Sequence, residues 1–316
     1  MGEVEYSILI ETFTLQEGGD AARFFRTLEA AVEMTAEDRG EVLLIDVCGF
    51  ADLHAAVQER FPGVRMVDAI GLGYDDAKML AAGEARGVYL LYLDGDCLPQ
   101  PGWKEAFLGR LRAGATAVGG YTRYDGGYRA ALESVMDFGF LYPCRERGLE
   151  CYAFNNAGFL REAMLATPAG SPYLRCACYQ HAQALKRHGT PVQMVPEARV
   201  LHEQQPLIRE RTRQGFDKVA AAWADPNVRE ARWLKGRFLV VFLFHGMDLL
   251  LDWRRLAQAR KPLGLSYAAW LSMFPLFPFF RLIDLWGMLR ALLGGPVDGG
   301  WGGSLAAERS GISPEA

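Results

Sequence analysis

Basic charge is short in this chain. Its 34 Lys and Arg are outnumbered by 38 Asp and Glu, for a formal net charge of −4. That balance gives no general reason to expect nucleic acid as a partner, because its binders present a basic face. Cysteines at zinc-ligand spacing are missing too. The six cysteines (48, 97, 144, 151, 176 and 178) are irregularly spaced, Cys176 and Cys178 form a CxC, and no second Cys or His pair completes a tetrahedral set. Scattered cysteines in a long chain fit a reducing cytosol. The first residues, Met1-Gly2-Glu3-Val4-Glu5, offer neither a basic n-region nor an apolar h-region, so no signal peptide is expected. Tyr6 stands where a myristoylation signal would carry Ser or Thr. No internal repeat is found.

What is present is a large apolar fraction in a patterned order. The 316 residues are 50% hydrophobic and 23% charged, enough for one large domain with an appendage, or for two domains. Tyr6–Thr12 reads as a strand, residues 20–36 as an amphipathic helix, and Glu41–Asp46 as a second buried strand. A helix over 51–60, a strand over Val64–Val67 and a helix over 75–86 follow. Strands that alternate with helices predict an α/β fold with a mostly parallel central sheet and helices on both faces. Further on, the pattern predicts helices at 101–114, 128–140, 161–166 and 177–188. It predicts strands at 115–120, near 154–161, at Val192–Val195 and at Arg199–Leu201.

The most informative stretch is Gly87–Pro99, GVYLLYLDGDCLP. An apolar run ends abruptly in Asp94 and Asp96. Such a run reads as a strand buried on both faces. Open α/β sheets bind ligands beyond the carboxyl ends of their strands, where these two carboxylates fall. Paired carboxylates form a hard oxygen site for a divalent cation, which can in turn hold a diphosphate. Asp and Gly are also ordinary turn residues, so the spacing alone leaves a plain strand-to-loop turn open.

The last third changes character. Between Arg232 and Gly294 stand nine Lys or Arg against three Asp or Glu, in the region richest in apolar runs. Phe238–Leu251 and Leu265–Phe280 are each shorter than the roughly twenty residues a straight spanning helix needs. Trp253, Arg254, Arg255, Lys261, Trp270, Arg281, Trp286 and Arg290 flank them, which suits a membrane interface. Packing on the catalytic core or in a dimer contact is the alternative. The domains expected are 1–230, a 231–294 apolar helical region, and a flexible tail over 295–316.

Five features in order resemble glycosyltransferase family 2, which has the A-type, Rossmann-like nucleotide-sugar fold. They are Ile10-Glu11-Thr12, Ile45-Asp46, a Gly-rich turn followed by Lys78, the stretch GVYLLYLDGDCLPQPGW, and FNNAGFLREAM. The resemblance covers roughly residues 4–220. It implies transfer of a sugar from a nucleotide diphosphate sugar, with UDP-sugars the expected donors and Mn or Mg as cofactor. Glu11 and Asp46 would contact the nucleoside, and Lys78 the diphosphate. Asp94 would hold donor and metal, and Asp96 the metal. His202, after the short strand in EARVLHE, would complete the metal site, and an imidazole there favours manganese. Asn155 and Asn156 would line the sugar or acceptor side. Arg211, in a cluster with Arg209 and Arg213, would close over the diphosphate.

The chain departs from the family at one point. The Glu-Asp pair that supplies the general base would fall near Ala177-Cys178, and no carboxylate lies between Arg175 and Gly189. His181 could serve as base, and so could Asp137 or Glu150. The acceptor could also be an already ionised phosphate, or the chain could bind a donor without turning it over. The expected acceptor is a glycan or lipid-linked molecule at the cytoplasmic face of a membrane. A non-catalytic nucleotide-sugar-binding subunit is the alternative. A nucleotidyltransferase is disfavoured, because Thr12–Gln16 is not a Gly-rich phosphate loop.

Overall fold

The computed structural model describes residues 4–16, 18–36, 38–142, 149, 151–168, 177–204, 206–224 and 238–293. Glu150 and the 295–316 tail lie outside these. The chain divides into two compact units. The first comprises 1–125, 144–170 and 177–203, and the second 126–143, 171–176 and 204–316. The second unit thus begins upstream of the boundary expected at 231, and it also takes in an earlier segment.

The first unit is built on one eight-stranded sheet. Its elements are β1 (Tyr6–Glu11), a single turn α1 (Phe13–Gln16), α2 (Ala21–Thr35), β2 (Gly40–Asp46), α3 (Ala51–Arg60), β3 (Arg65–Asp68), α4 (Tyr74–Glu84), β4 (Tyr89–Asp94), β5 (Cys97–Pro99), α5 (Trp103–Arg112) and β6 (Ala117–Tyr124). Here the chain passes through α6 (Tyr128–Phe138), which belongs to the second unit, and returns for β7 (Asn156–Leu160), α7 (Arg161–Ala166), α8 (Ala177–Arg187) and β8 (Gln193–His202). The strand order is β3-β2-β1-β4-β7-β6-β8-β5. One half, β3-β2-β1-β4, is parallel as the alternation predicts. The other half is mixed, because β7 runs antiparallel to both β4 and β6, and β5 runs antiparallel to β8.

Side-chain alternation places helices on both faces. Tyr6, Ile8 and Ile10 of β1 join one buried cluster with Phe24 and Leu28 of α2, Val57 of α3 and Trp103 and Phe107 of α5. Helix α4 lies on the opposite face, where the Tyr92 hydroxyl of β4 donates to the Lys78 carbonyl at 3.1 Å.

Two strands differ from expectation. Val192–Val195 and Arg199–Leu201 are one strand, β8, because both stretches pair with β6. The register jumps from Gly120↔Val195 to Tyr121↔Arg199, so the ladder steps over Pro196, which has no N–H to give it. The three residues of β5 are too few for a periodicity signal, and they form a strand because β8 offers them an edge.

The second unit joins α6 to α9 (Leu207–Ala224) and to C-terminal helices at Phe238–Ala259, Tyr267–Met273 and Phe277–Leu292. The first of these has 22 residues, longer than its apolar run. The 26-residue stretch Tyr267–Leu292 is long and apolar enough to cross a membrane by length and composition, and a minority of it is buried. Both extend past their apolar runs because they turn polar residues inward. Arg281, expected at a membrane interface, is instead buried. It donates to both oxygens of Asp252, at 2.6 and 2.8 Å, and to Asp284 at 2.7 Å. Arg255 also pairs with Asp252, at 3.5 Å. Trp253 and Trp270 spend their indole N–H groups on the carbonyls of Phe274 and Leu256. Trp286 is exposed.

Candidate active site

Strand register assembles the acidic cluster. Glu11, the last residue of β1, pairs with Asp94, the last of β4, and with Ile45, next to Asp46 at the end of β2. All three carboxylates therefore emerge at the carboxyl edge of the parallel half-sheet. Gly95 turns the chain there. A Cβ on it would lie 2.6 Å from the Glu11 carbonyl oxygen and 2.8 Å from the Phe24 ring, so only glycine fits between the two aspartates.

Each carboxylate has a different set of partners. Asp94 accepts from the Tyr74 hydroxyl at 2.9 Å on each oxygen, and it forms an ion pair with the Lys78 ammonium. Lys78 is buried to 1% exposure, donates to the Phe154 carbonyl at 3.4 Å, and has the Tyr74 ring centroid 4.3 Å away. Its long side chain is inside because Asp94 and three aromatic rings receive it. Glu11 accepts from the Phe13 and Gly95 amides. Burial and then the charge of Asp94 push its carboxyl well above the usual range, against the pull of Lys78.

Asp46 behaves in the opposite way. Burial alone would raise it, but His54 at 2.5 Å and the Gly49 and Cys48 amides hold its carboxyl below the ordinary value. The Thr12 hydroxyl adds a bond at 3.2 Å.

The β5–β8 pairing brings in His202. Cys97 sits opposite His202 in that register, so residues about a hundred positions apart in the chain meet at one point. Asp96, Cys97 and His202 present ligand atoms within 4.8 Å of one another. His202 Nδ1 lies 3.5 Å from Asp96 Oδ2. Burial raises the Asp96 carboxyl, His202 opposes that, and Asp94 adds to it. Burial and the Asp96 charge drive the Cys97 thiol well above its usual range, which makes it a reluctant thiolate donor. Arg23, buried on α2, braces this corner. It donates to the Asp96 carbonyl at 3.2 Å and to the Leu201 carbonyl at 2.5 Å, and it pairs with Asp125 at 2.7 Å.

A divalent cation fits this arrangement. Burial, with the charge of Asp94 adding to it, pushes up the carboxyls of both Glu11 and Asp96. Such a cluster lacks positive charge. Asp96 and His202 supply oxygen and nitrogen donors of the type manganese accepts. Asp94 is not in the tight ligand group, and its oxygens accept from Tyr74 and Lys78.

The remaining candidates have distinct placements. Asn155 accepts from the Thr122 hydroxyl at 3.0 Å through its oxygen. Asn156 is fully buried, with its oxygen taken by the Trp103 indole at 2.8 Å and its amide by the Ala198 carbonyl at 3.2 Å. His181 is buried in the first unit, with Nδ1 2.7 Å from the Tyr152 hydroxyl. Burial holds its imidazole down to about 4. Asp137 and Arg211 belong to the second unit and pair with each other, and Arg211 Nε lies 3.8 Å from Asp284.

No motif in the sequence marks His54, Tyr74 or Arg23 as site residues. Arg23 did leave a trace, since it stands beside Phe24 on the face that also carries Thr27 and Leu28. A cation there needs a buried partner.

No curated protein matches the chain by sequence. Among solved structures, a mannosyltransferase from Pyrobaculum calidifontis, in complex with GDP-Man and Mn2+, is similar with a TM-score of 0.58. The identity is 15%, over 91% of this chain and 87% of that one. GalNAc-T7, solved with UDP, GalNAc and Mn2+, is similar with a TM-score of 0.51 at 14% identity, over 78% of this chain and 54% of that one. At these identities the likeness is one of fold, the A-type glycosyltransferase fold. Residues 17–165 match the family described as Glycosyl transferase family 2. That matched span includes the Asp94–Asp96 turn, and over it the chain is similar to a glycosyltransferase family 2 domain.

Proposed function

We propose that the protein transfers a sugar from a nucleotide diphosphate sugar to a glycan or lipid-linked acceptor, with inversion at the anomeric carbon. The observation that carries this is the edge cluster, in which Glu11, Asp46, Lys78, Asp94, Asp96 and His202 come together from four strands, one helix and the turn after β4. In it, Asp46 and Glu11 would hold the nucleoside, and Asn155 would face the sugar side with its free amide. A divalent cation on Asp96 and His202, Mn2+ in preference to Mg2+, would neutralise the diphosphate as negative charge gathers on it. Lys78, ion-paired with Asp94, places a basic group beside the diphosphate. Its field acts more strongly on the departing diphosphate than on the intact donor, which is the condition for lowering the barrier. Uridine and guanosine donors are both candidates, since similar folds are solved with each.

The second unit suits a membrane surface. Leu250, Leu271, Phe279, Leu282 and Trp286 are exposed on its C-terminal helices, together with Arg254 and Lys261. The described cysteines are free thiols, in keeping with the cytoplasmic face. A non-catalytic donor-binding subunit is the second reading, favoured by the lack of a carboxylate at Ala177-Cys178.

One assay separates the two. Purified protein is given Mn2+ and a panel of GDP- and UDP-sugars, and release of nucleoside diphosphate is followed. Turnover of one donor, abolished in Asp96→Ala, is the expected result. Binding without release from any donor would favour the non-catalytic subunit.

A further inference from the structure

A transferase of this kind must remove a proton from the attacking acceptor hydroxyl, and the carboxylates of the edge cluster are already engaged. Glu11 is held by two amides, Asp46 by Thr12, Cys48, Gly49 and His54, and Asp94 by Tyr74 and Lys78. Asp96 belongs to the ligand group with His202. Asp75 is different. It lies in the first turn of α4 and is half-buried, and among the described residues its carboxylate makes no hydrogen bond or ion pair.

Resting on the transferase reading above, we propose that Asp75 is the catalytic base that accepts the acceptor's proton. Its position carries the proposal. Asp75 follows Tyr74 directly and stands three residues before Lys78, so it shares a helix face with the side chain that holds Asp94. The Phe154 backbone ties this face to the start of α8. Its carbonyl accepts from Lys78 at 3.4 Å, and its backbone also hydrogen-bonds Cys178. The groups that share the field of Asp75 are Lys78 and Asp76 on α4, Cys178 on α8 and Tyr152 on the segment before β7. The base thus comes from α4, facing the point on α8 where Cys178 stands in place of a carboxylate.

The protonation chemistry agrees. Burial pushes the Asp75 carboxyl up to about 6, with Lys78 pulling down and Asp76 pushing up. A base of that strength is ionised at neutral pH and still takes a proton readily. The nearby alternatives are worse. Burial keeps His181 down to about 4 with Nδ1 engaged by Tyr152, and burial drives the Cys178 thiol well above its usual range.

The step balances. The acceptor oxygen forms a bond to the anomeric carbon while its proton passes to Asp75. The bond between that carbon and the diphosphate oxygen breaks, and its electron pair leaves with the nucleoside diphosphate.

The test uses the full chain with Mn2+ and either GDP-mannose or UDP-glucose, water serving as acceptor, and release of nucleoside diphosphate is measured across pH. Asp75→Asn should lose roughly 10²–10⁴-fold in kcat, with donor KM little changed. The wild-type rate should rise with pH through an inflection near 6 that Asp75→Asn lacks. Asp75→Glu should recover part of the rate, which a folding defect at this position would not allow, and Asp76→Asn should stay near wild type. Wild-type turnover in Asp75→Asn, or an unchanged inflection in it, overturns the assignment of the base alone. A wild-type protein that binds both donors and releases neither overturns the transferase reading and this role with it.

Discussion

At the scale of the residue, environment decides what each ionisable side chain does. His181 lies in the core against Tyr152, and burial lowers its pKa to about 4 from the ordinary value of about 6.5. Between those values the unfolded chain takes up a proton that the folded protein refuses. Stability therefore falls as pH drops through that window, by up to about 3 kcal/mol. Denaturant midpoints from pH 7 to 4.5 should show the loss, and His181→Asn, which can keep a bond to Tyr152, should flatten it. A profile unchanged by the substitution would remove His181 as the cause. Gly95 gives a second prediction at this scale. Gly95→Ala should reduce turnover at least tenfold, since a Cβ 2.6 Å from the Glu11 carbonyl must displace the Asp94–Asp96 turn. Kinetics that match wild type would show that the turn tolerates the shift.

Residues that declare themselves by pattern were legible in the sequence, and residues that act through register were not. Asp94 and Asp96 stand out because an apolar run stops at them. Lys78 is marked by its place after a Gly-rich turn, although nothing in the sequence says that it is buried. His54 is invisible, because its value comes from a helix turn that returns it to Asp46. Cys97 and His202 meet only through the β5–β8 ladder, which periodicity cannot reveal in a three-residue strand.

At the scale of the element, the second unit depends on close helix contact and buried charge. A Cβ on Gly215 of α9 would lie 1.8 Å from the Asp284 carbonyl oxygen, and one on Gly287 would lie 1.9 Å from the Thr212 carbonyl oxygen. The two helices touch backbone to backbone at these glycines, as small residues allow. Gly287→Ala should force them apart and cost about 1–3 kcal/mol, read from the unfolding midpoint. Buried charge makes the same helices harder to alter. Arg281→Leu would leave Asp252 and Asp284 buried without their shared partner and should cost about 3–5 kcal/mol. A loss under about 1 kcal/mol would mean that water reaches the pair. The sequence shows the apolar runs but hides this network. Arg281 looks like a membrane-interface anchor until the fold turns it inward.

At the scale of the whole molecule, the chain combines a sheet unit, which we propose binds the donor, with a helical unit that exposes apolar side chains. Replacing Phe279, Leu282 and Trp286 by Glu should abolish co-sedimentation with anionic phosphatidylglycerol vesicles while donor turnover continues. Retained vesicle binding would assign that apolar face to another contact. The central claim concerns the acidic edge of the sheet, where a divalent cation and a nucleoside diphosphate are held together by side chains from β1, β2, β4 and β8. Its most direct test is calorimetric titration of UDP and of GDP into wild-type protein and Asp96→Ala, each with and without Mn2+. The expected result is that wild-type protein binds one of the two nucleotides only when Mn2+ is present, and that Asp96→Ala loses this binding. Equal binding by both proteins, unaffected by Mn2+, would contradict the claim.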